Sequence, residues 1–167
     1  LLAGLGATDA LYLLTARSGD YLLLMQRFNA GLLVMSLIAL LIGRRVIPFF
    51  AMRAVQGLTL PNQMKSGWVQ LGACAVAVVS LLTGTTLLSA AALGLAGVLA
   101  LVQLISWKPL AVRGNALLWI LYVGYAGIGF GLLMAALQYA GIALPRVLPV
   151  HTIAMAGFSV LIIGMVT

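Results

Sequence analysis

Acidic residues are nearly absent from this chain. Its 167 residues include nine Lys and Arg but only two acids, Asp9 and Asp20, with no paired carboxylates for general acid and base work. Cysteine occurs once, at Cys74, which excludes an internal disulfide and a cysteine-pair metal site and leaves the redox compartment open. Histidine also occurs once, at His151, so there is no serine, histidine and acid constellation and no zinc spacing. The glycines follow no strand and have no neighbouring lysine, which excludes a phosphate-binding loop. Polar stretches are scarce as well: 7% of residues are charged and 64% hydrophobic, with a mean hydropathy of +1.21. Soluble domains are about half apolar and a quarter charged, so a water-soluble fold is excluded.

What is present is apolar sequence recurring from Leu1 to Thr167, where a signal or transit peptide would confine it to one end. The fold class is therefore all-α, a polytopic transmembrane helical bundle, because the runs are too long for strands and lack a period of two. A bilayer core of ~30 Å needs about 20 apolar residues per helix, which gives about six spans. They run over 1–15, 21–43, 68–85, 88–106, 116–141 and 149–167, with Asn115 as the N-cap of the fifth and a tight turn at TGTT after the third.

The formal net charge of +7 would suggest nucleic acid in a soluble chain, but the basic residues sit in short clusters between apolar runs and form no stripe that could track phosphates. Arg44, Arg45, Arg53 and Lys65 fall between spans two and three, and Lys108 and Arg113 between four and five. The alternate connections hold Arg17 with Asp20, nothing, and Arg146. The positive-inside rule then makes loops 44–67 and 107–115 cytoplasmic, with Trp68, Trp107 and Trp119 near span ends on that side as an aromatic belt. In GRRVIPFF, Arg44 and Arg45 read as the stop of span two, with Pro48 turning the chain and Phe49 and Phe50 settling at the interface. The stretch that follows is either a short helix lying along the surface or an ordinary loop. The chain opens on Leu1 without an initiator methionine and stops within LIIGMVT, so it is expected to be a piece of a longer protein.

Ionisable groups inside a membrane are costly, which makes each one a functional candidate. His151 follows Pro149 in the first turn of span six, where the positive end of the helix dipole disfavours imidazolium and favours the neutral, metal-binding form. It is either a ligand for metal or haem or an interfacial histidine hydrogen-bonded to a neighbour. At 100° per residue Met155, Phe158 and Ile162 share its face and Gly157 and Gly164 lie opposite, which suggests a helix packed on two sides, with Met155 as a second soft ligand. Asp9 reads as a proton relay, a counter-ion of Arg27 or an interfacial residue. Arg27, beside Gln26 and Asn29, either snorkels or marks the edge of span two. Cys74 reads as a small buried hydrophobe and Gln103 as uncharged polar company. Gly124, Gly127, Gly131 and Ala135 form a smooth stripe, either for close helix packing or as a flat cofactor face with Tyr122 and Tyr125 as donors.

Three stretches, LIALLIGRRVIPFF, LLWILYVGYAGIGFGLLMAAL and HTIAMAGFSVLIIGMVT, resemble in order and spacing the middle and later spans of NnrS family proteins, from about Asn29 to Thr167. The resemblance implies a bacterial inner-membrane protein of about twelve spans, associated with haem and copper and linked to nitric oxide metabolism and protection from nitrosative stress. By the same resemblance His151 matches the family's helix-opening histidine, and Arg44, Arg45, Pro48 and Phe49 its cytoplasmic motif. Tyr122 departs from the family pattern, which often has histidine there. The expected partners are the lipid bilayer and nitric oxide or a related small molecule, with no nucleic acid. A rival expectation is a small-solute or metal-ion transporter with Asp9, Arg27 and Asn29 along its pathway, and a plainer one is an assembly subunit with no site of its own.

Overall fold

The structure, a computed structural model, describes residues 2–17, 19–61, 64–145 and 147–166; Leu1, Arg146 and Thr167, used above to bound spans and weigh loops, lie outside them. The described residues form an all-helical bundle: α1 (Leu2–Ala16), α2 (Tyr21–Ala54), α3 (Met64–Leu82), α4 (Thr86–Ser106), α5 (Ala116–Tyr139) and α6 (Val147–Val166), with a 3-10 turn at Pro109–Val112. Five of these are long and apolar enough to cross a membrane, and α1 is a shorter apolar helix. The C-terminal ends of α1, α3 and α5 lie at one end of the bundle, and those of α2 and α4 at the other.

Local signals explain most helix starts and turns. Asp20 is the N-cap of α2, its Oδ1 accepting from the Leu22 and Leu23 amides at 3.1 and 3.2 Å, which also places a negative charge at the positive helix end. Asn115 caps α5 as expected, accepting from the Leu118 amide at 3.5 Å. Gly84, at φ +76°, makes the turn between α3 and α4, where the Ser80 and Ser89 hydroxyls meet at 2.9 Å.

Span two departs from expectation. Its helix does not stop at Gly43 but runs unbroken through Arg44, Arg45 and Pro48 to Ala54, so the loop on that side begins at 55 rather than 44, and no separate surface helix forms. Pro48 cannot donate to the carbonyl four residues back, yet Ile47 and Ala51 on either side are fully buried, and that packing holds the chain helical. At 34 residues α2 is about 51 Å long, well beyond the ~30 Å hydrocarbon core.

In the core, α5 packs against α2, α4 and α6, while α1 packs on α2. The glycine stripe of α5 serves that packing. A Cβ added at Gly124 would lie 2.7 Å from Leu161 Cγ, and one at Gly127 would collide with the Ala156 carbonyl. The stripe is thus filled by α6 and offers no flat cofactor face. Where α6 backs onto it, Thr152–Ser159 is π-helical, and the Ser159 hydroxyl donates to the Ala154 carbonyl five residues back at 3.0 Å. Gly157 and Gly164 face α5 and Phe158 is half-buried against the core, but His151, Met155 and Ile162 are exposed, so the rest of the face opposite the glycines has no packing partner among the described residues. Trp107 also differs from expectation: it is buried between Tyr122 and Tyr125, with ring centroids 6.4 and 5.0 Å away, so only Trp68 and Trp119 remain as exposed tryptophans at that end.

Candidate cofactor site

His151 closes the first turn of α6, with Pro149 buried beneath it. Its Nδ1 lies 3.1 Å from the Val147 carbonyl oxygen, which can only accept. Nδ1 is therefore the donor, and in the tautomer this contact selects the Nε2 lone pair is left for a metal or a donor. The next residue supports this turn: the Thr152 hydroxyl is 2.9 Å from the Leu148 carbonyl and 3.5 Å from Met134 Sδ on α5.

The imidazole stands at the rim of a cleft of about 630 Å³, within the ~300–1,000 Å³ typical of small-molecule and cofactor sites. The N-terminal turns of α2, the α3–α4 turn, the end of α5 and the start of α6 wall it. Among the described residues no Asp, Glu, Lys or Arg side chain lines it. Its polar groups are amides and hydroxyls, chiefly Gln26 and Asn29 from α2, Gln138 and Tyr139 from α5, and the Ser80–Ser89 pair. The Gln26 side-chain amide donates to the Leu81 carbonyl and ties α2 to the end of α3.

The other sequence candidates do not converge on this cleft. Met155 is 65% exposed and is not part of its lining. Tyr122 lies near the other end of the bundle, where its hydroxyl donates to the Trp107 carbonyl at 2.9 Å. Its distance along α5 from Gln138 alone is about 24 Å at 1.5 Å per residue. His151, Met155 and Tyr122 therefore do not share one site. Asn29 lines the cleft, while Asp9 is exposed on α1 and Arg27 half-buried on α2, with no ion pair between them among the described residues. Cys74 is buried within α3.

At the opposite end, Gly43, Arg44, Gly67 and Tyr125 interlock. A Cβ at Gly43 would lie 2.9 Å from Tyr125 Cδ2, and the Arg44 guanidinium fills the space where a Cβ of Gly67 would stand. Arg44 Cζ is 5.9 Å from the centre of the Trp68 ring, and its Nη1 is buried without a hydrogen-bond partner. The Tyr125 hydroxyl donates to Gln103 Oε1 at 2.9 Å, and Gln70, fully buried, reaches the Ala96 carbonyl at 3.4 Å. Arg45 and Phe49 are exposed, and the Arg53 guanidinium lies 4.9 Å over the Phe49 ring. Gln70, Gln138 and Tyr139 are the polar residues that sequence reasoning missed; amides within apolar spans were the available signal.

Among the described residues no three His, Cys, Asp or Glu side chains come together to hold a metal ion. A site needing only one protein donor, such as an axial ligand to haem, fits His151 and the cleft beside it, whereas a copper site built from several protein ligands does not assemble from these residues. No curated protein and no solved structure matches the chain. The sequence pattern of the family described as NnrS protein matches residues 1–167, a wider stretch than the three motifs that suggested it, and the chain belongs to the NnrS family.

Proposed function

We propose that this NnrS family member is a haem- or copper-associated membrane protein acting in nitric oxide metabolism and the response to nitrosative stress, with His151 as the protein ligand to the metal. The observation that carries the reading is the imidazole itself: Nδ1 is engaged by the Val147 carbonyl, and Nε2 is left at the rim of a cofactor-sized cleft whose described lining is otherwise apolar, amide and hydroxyl. A bound metal would supply an open coordination position for a diatomic ligand. The chain's own groups would hold His151 in its tautomer, through Val147, and present the amides of Gln26, Asn29 and Gln138 to whatever occupies the cleft. Haem is favoured over copper because one protein donor suffices for it. In this reading the protein sits in the bacterial inner membrane, with Arg44, Arg45, Arg53 and Lys65 at the facing ends of α2 and α3 and Lys108 and Arg113 between α4 and α5 on the cytoplasmic side, and the His151 cleft at the outer face.

The transporter reading draws less support, since of Asp9, Arg27 and Asn29 only Asn29 borders the cleft. The deciding experiment is the absorption spectrum and metal content of the purified protein beside its His151→Ala variant. Loss of haem or copper from a folded variant is the expected result; unchanged content would remove the role assigned to His151.

A further inference from the structure

The outward face of α2 changes its surroundings partway along the helix. Near Gly31 it is covered by α1: a Cβ on Gly31 would lie 3.7 Å from Thr8 Oγ1, and the rings of Tyr12 and Phe28 are 6.5 Å apart. From Thr8 back to Leu2, α1 reaches only about 9 Å further at 1.5 Å per residue, whereas α2 runs on from Gly31 for about 34 Å to Ala54. Beyond the overlap Ile42, Arg45, Phe49 and Arg53, spaced by three and four residues, form one exposed stripe on the side of α2 opposite the buried Ile47 and Ala51.

The charge on this stripe has no answer within the protein. The Arg53 guanidinium is held 4.9 Å over the Phe49 ring, and neither it nor Arg45 makes a hydrogen bond or ion pair among the described residues. Arg44 beside them is turned away, against Gly67 and Trp68. The two acids of the chain lie elsewhere: Asp20 caps the opposite end of α2, and Asp9 follows Thr8 on α1, level with Gly31, which is about 21 Å along α2 from Arg45. Because α2 is about 51 Å long against a hydrocarbon core of ~30 Å, its last turns reach the headgroup level, with Ile42 toward the hydrocarbon and Arg53 toward water.

We propose that this stripe is a docking site for an anionic phospholipid, its phosphate held between Arg45 and Arg53, Phe49 at the boundary and an acyl chain lying along Ile42. A zwitterionic lipid brings the same chain without net charge, and free phosphate brings the charge without the chain; the anionic lipid matches both ends of the stripe. The site stands at the end of the bundle away from His151 and owes nothing to the metal reading.

The probes are phosphatidylglycerol and phosphatidylcholine of matched chains, added to the purified protein in detergent and counted as retained lipid by native mass spectrometry. Preferential retention of phosphatidylglycerol is expected, with the preference reduced about tenfold or more when Arg45→Gln and Arg53→Gln are combined. Both side chains are exposed, and the melting temperature checks that the double variant is folded. Lys108→Gln with Arg113→Gln removes the same charge at the same end of the bundle, on the connection between α4 and α5, and is expected to keep the preference. Equal retention of the two lipids by the parent protein, or equal loss in both double variants, would overturn the proposal, the latter by reducing the effect to net charge. On the parent protein alone, excess inorganic phosphate is expected not to displace the lipid, and displacement would assign the stripe to a free anion instead. A photoreactive residue at position 42 is expected to crosslink to lipid; a crosslink to a protein partner in its place would also overturn the assignment.

Discussion

The guanidinium of Arg44 on α2 occupies the volume that a side chain on Gly67 of α3 would need. The two helices meet there because one position has a long cation and the other has nothing. The guanidinium also lies against Trp68, the next residue of α3, so the arginine is clamped between a missing side chain and an aromatic ring.

Gly67→Ala is therefore expected to push the Arg44 guanidinium out of its seat, at a cost well below the ~1–3 kcal/mol of a rigid overpacked site because the far end of a flexible side chain can swing aside. Thermal unfolding in detergent checks it. The cost should shrink in an Arg44→Ala background, because the two residues share one space; purely additive losses would contradict the contact.

Tyr125→Phe removes the donor to Gln103 Oε1 and leaves that oxygen buried without it, which is expected to cost ~1–3 kcal/mol. Adding Gln103→Leu should recover part of the loss. A double-mutant cycle by denaturant or thermal unfolding reads the coupling.

Glycines on the two faces of the bundle should respond in opposite directions. Gly127→Ala drives a Cβ into the Ala156 carbonyl, where the π-helical stretch of α6 cannot yield without losing its seat, and a loss of ~1–3 kcal/mol or more is expected. Gly72→Ala meets nothing within 4 Å and should gain ~0.5–1 kcal/mol from the better helix former. Melting temperatures of the two variants, measured side by side, test the assignment of the stripe to packing.

Pro48→Ala is expected to leave the helix intact and hold or raise stability, since it restores an amide donor inside α2. If Pro48 turned the chain out of the bundle instead, the substitution would alter the cysteine-labelling pattern of positions 49–54, which is the measurement to make.

The number of apolar helices was legible because ~20-residue apolar runs have one stable solution in a bilayer. The Asn115 cap and the glycine stripe were legible because each depends on local spacing. The end of α2 was not: an arginine pair and a proline are local stop signals, and they lost to the burial of Ile47 and Ala51 against distant helices. The π-helical stretch escaped a 3.6-residue wheel for the same reason, since it arises where α6 meets the glycines of α5. His151 could be singled out from its place at a helix start, but its cleft joins residues from α2, α3, α4, α5 and α6, and no single stretch carries that convergence.

The length of α2 gives the molecule a mechanical unity. The same rigid rod bears Gln26 and Asn29 at the cleft and, several turns on, Arg44, Phe49 and Arg53 at the far end. A tilt of α2 as one rod at the cleft would carry those aromatic and basic groups through an arc at the other end of the bundle.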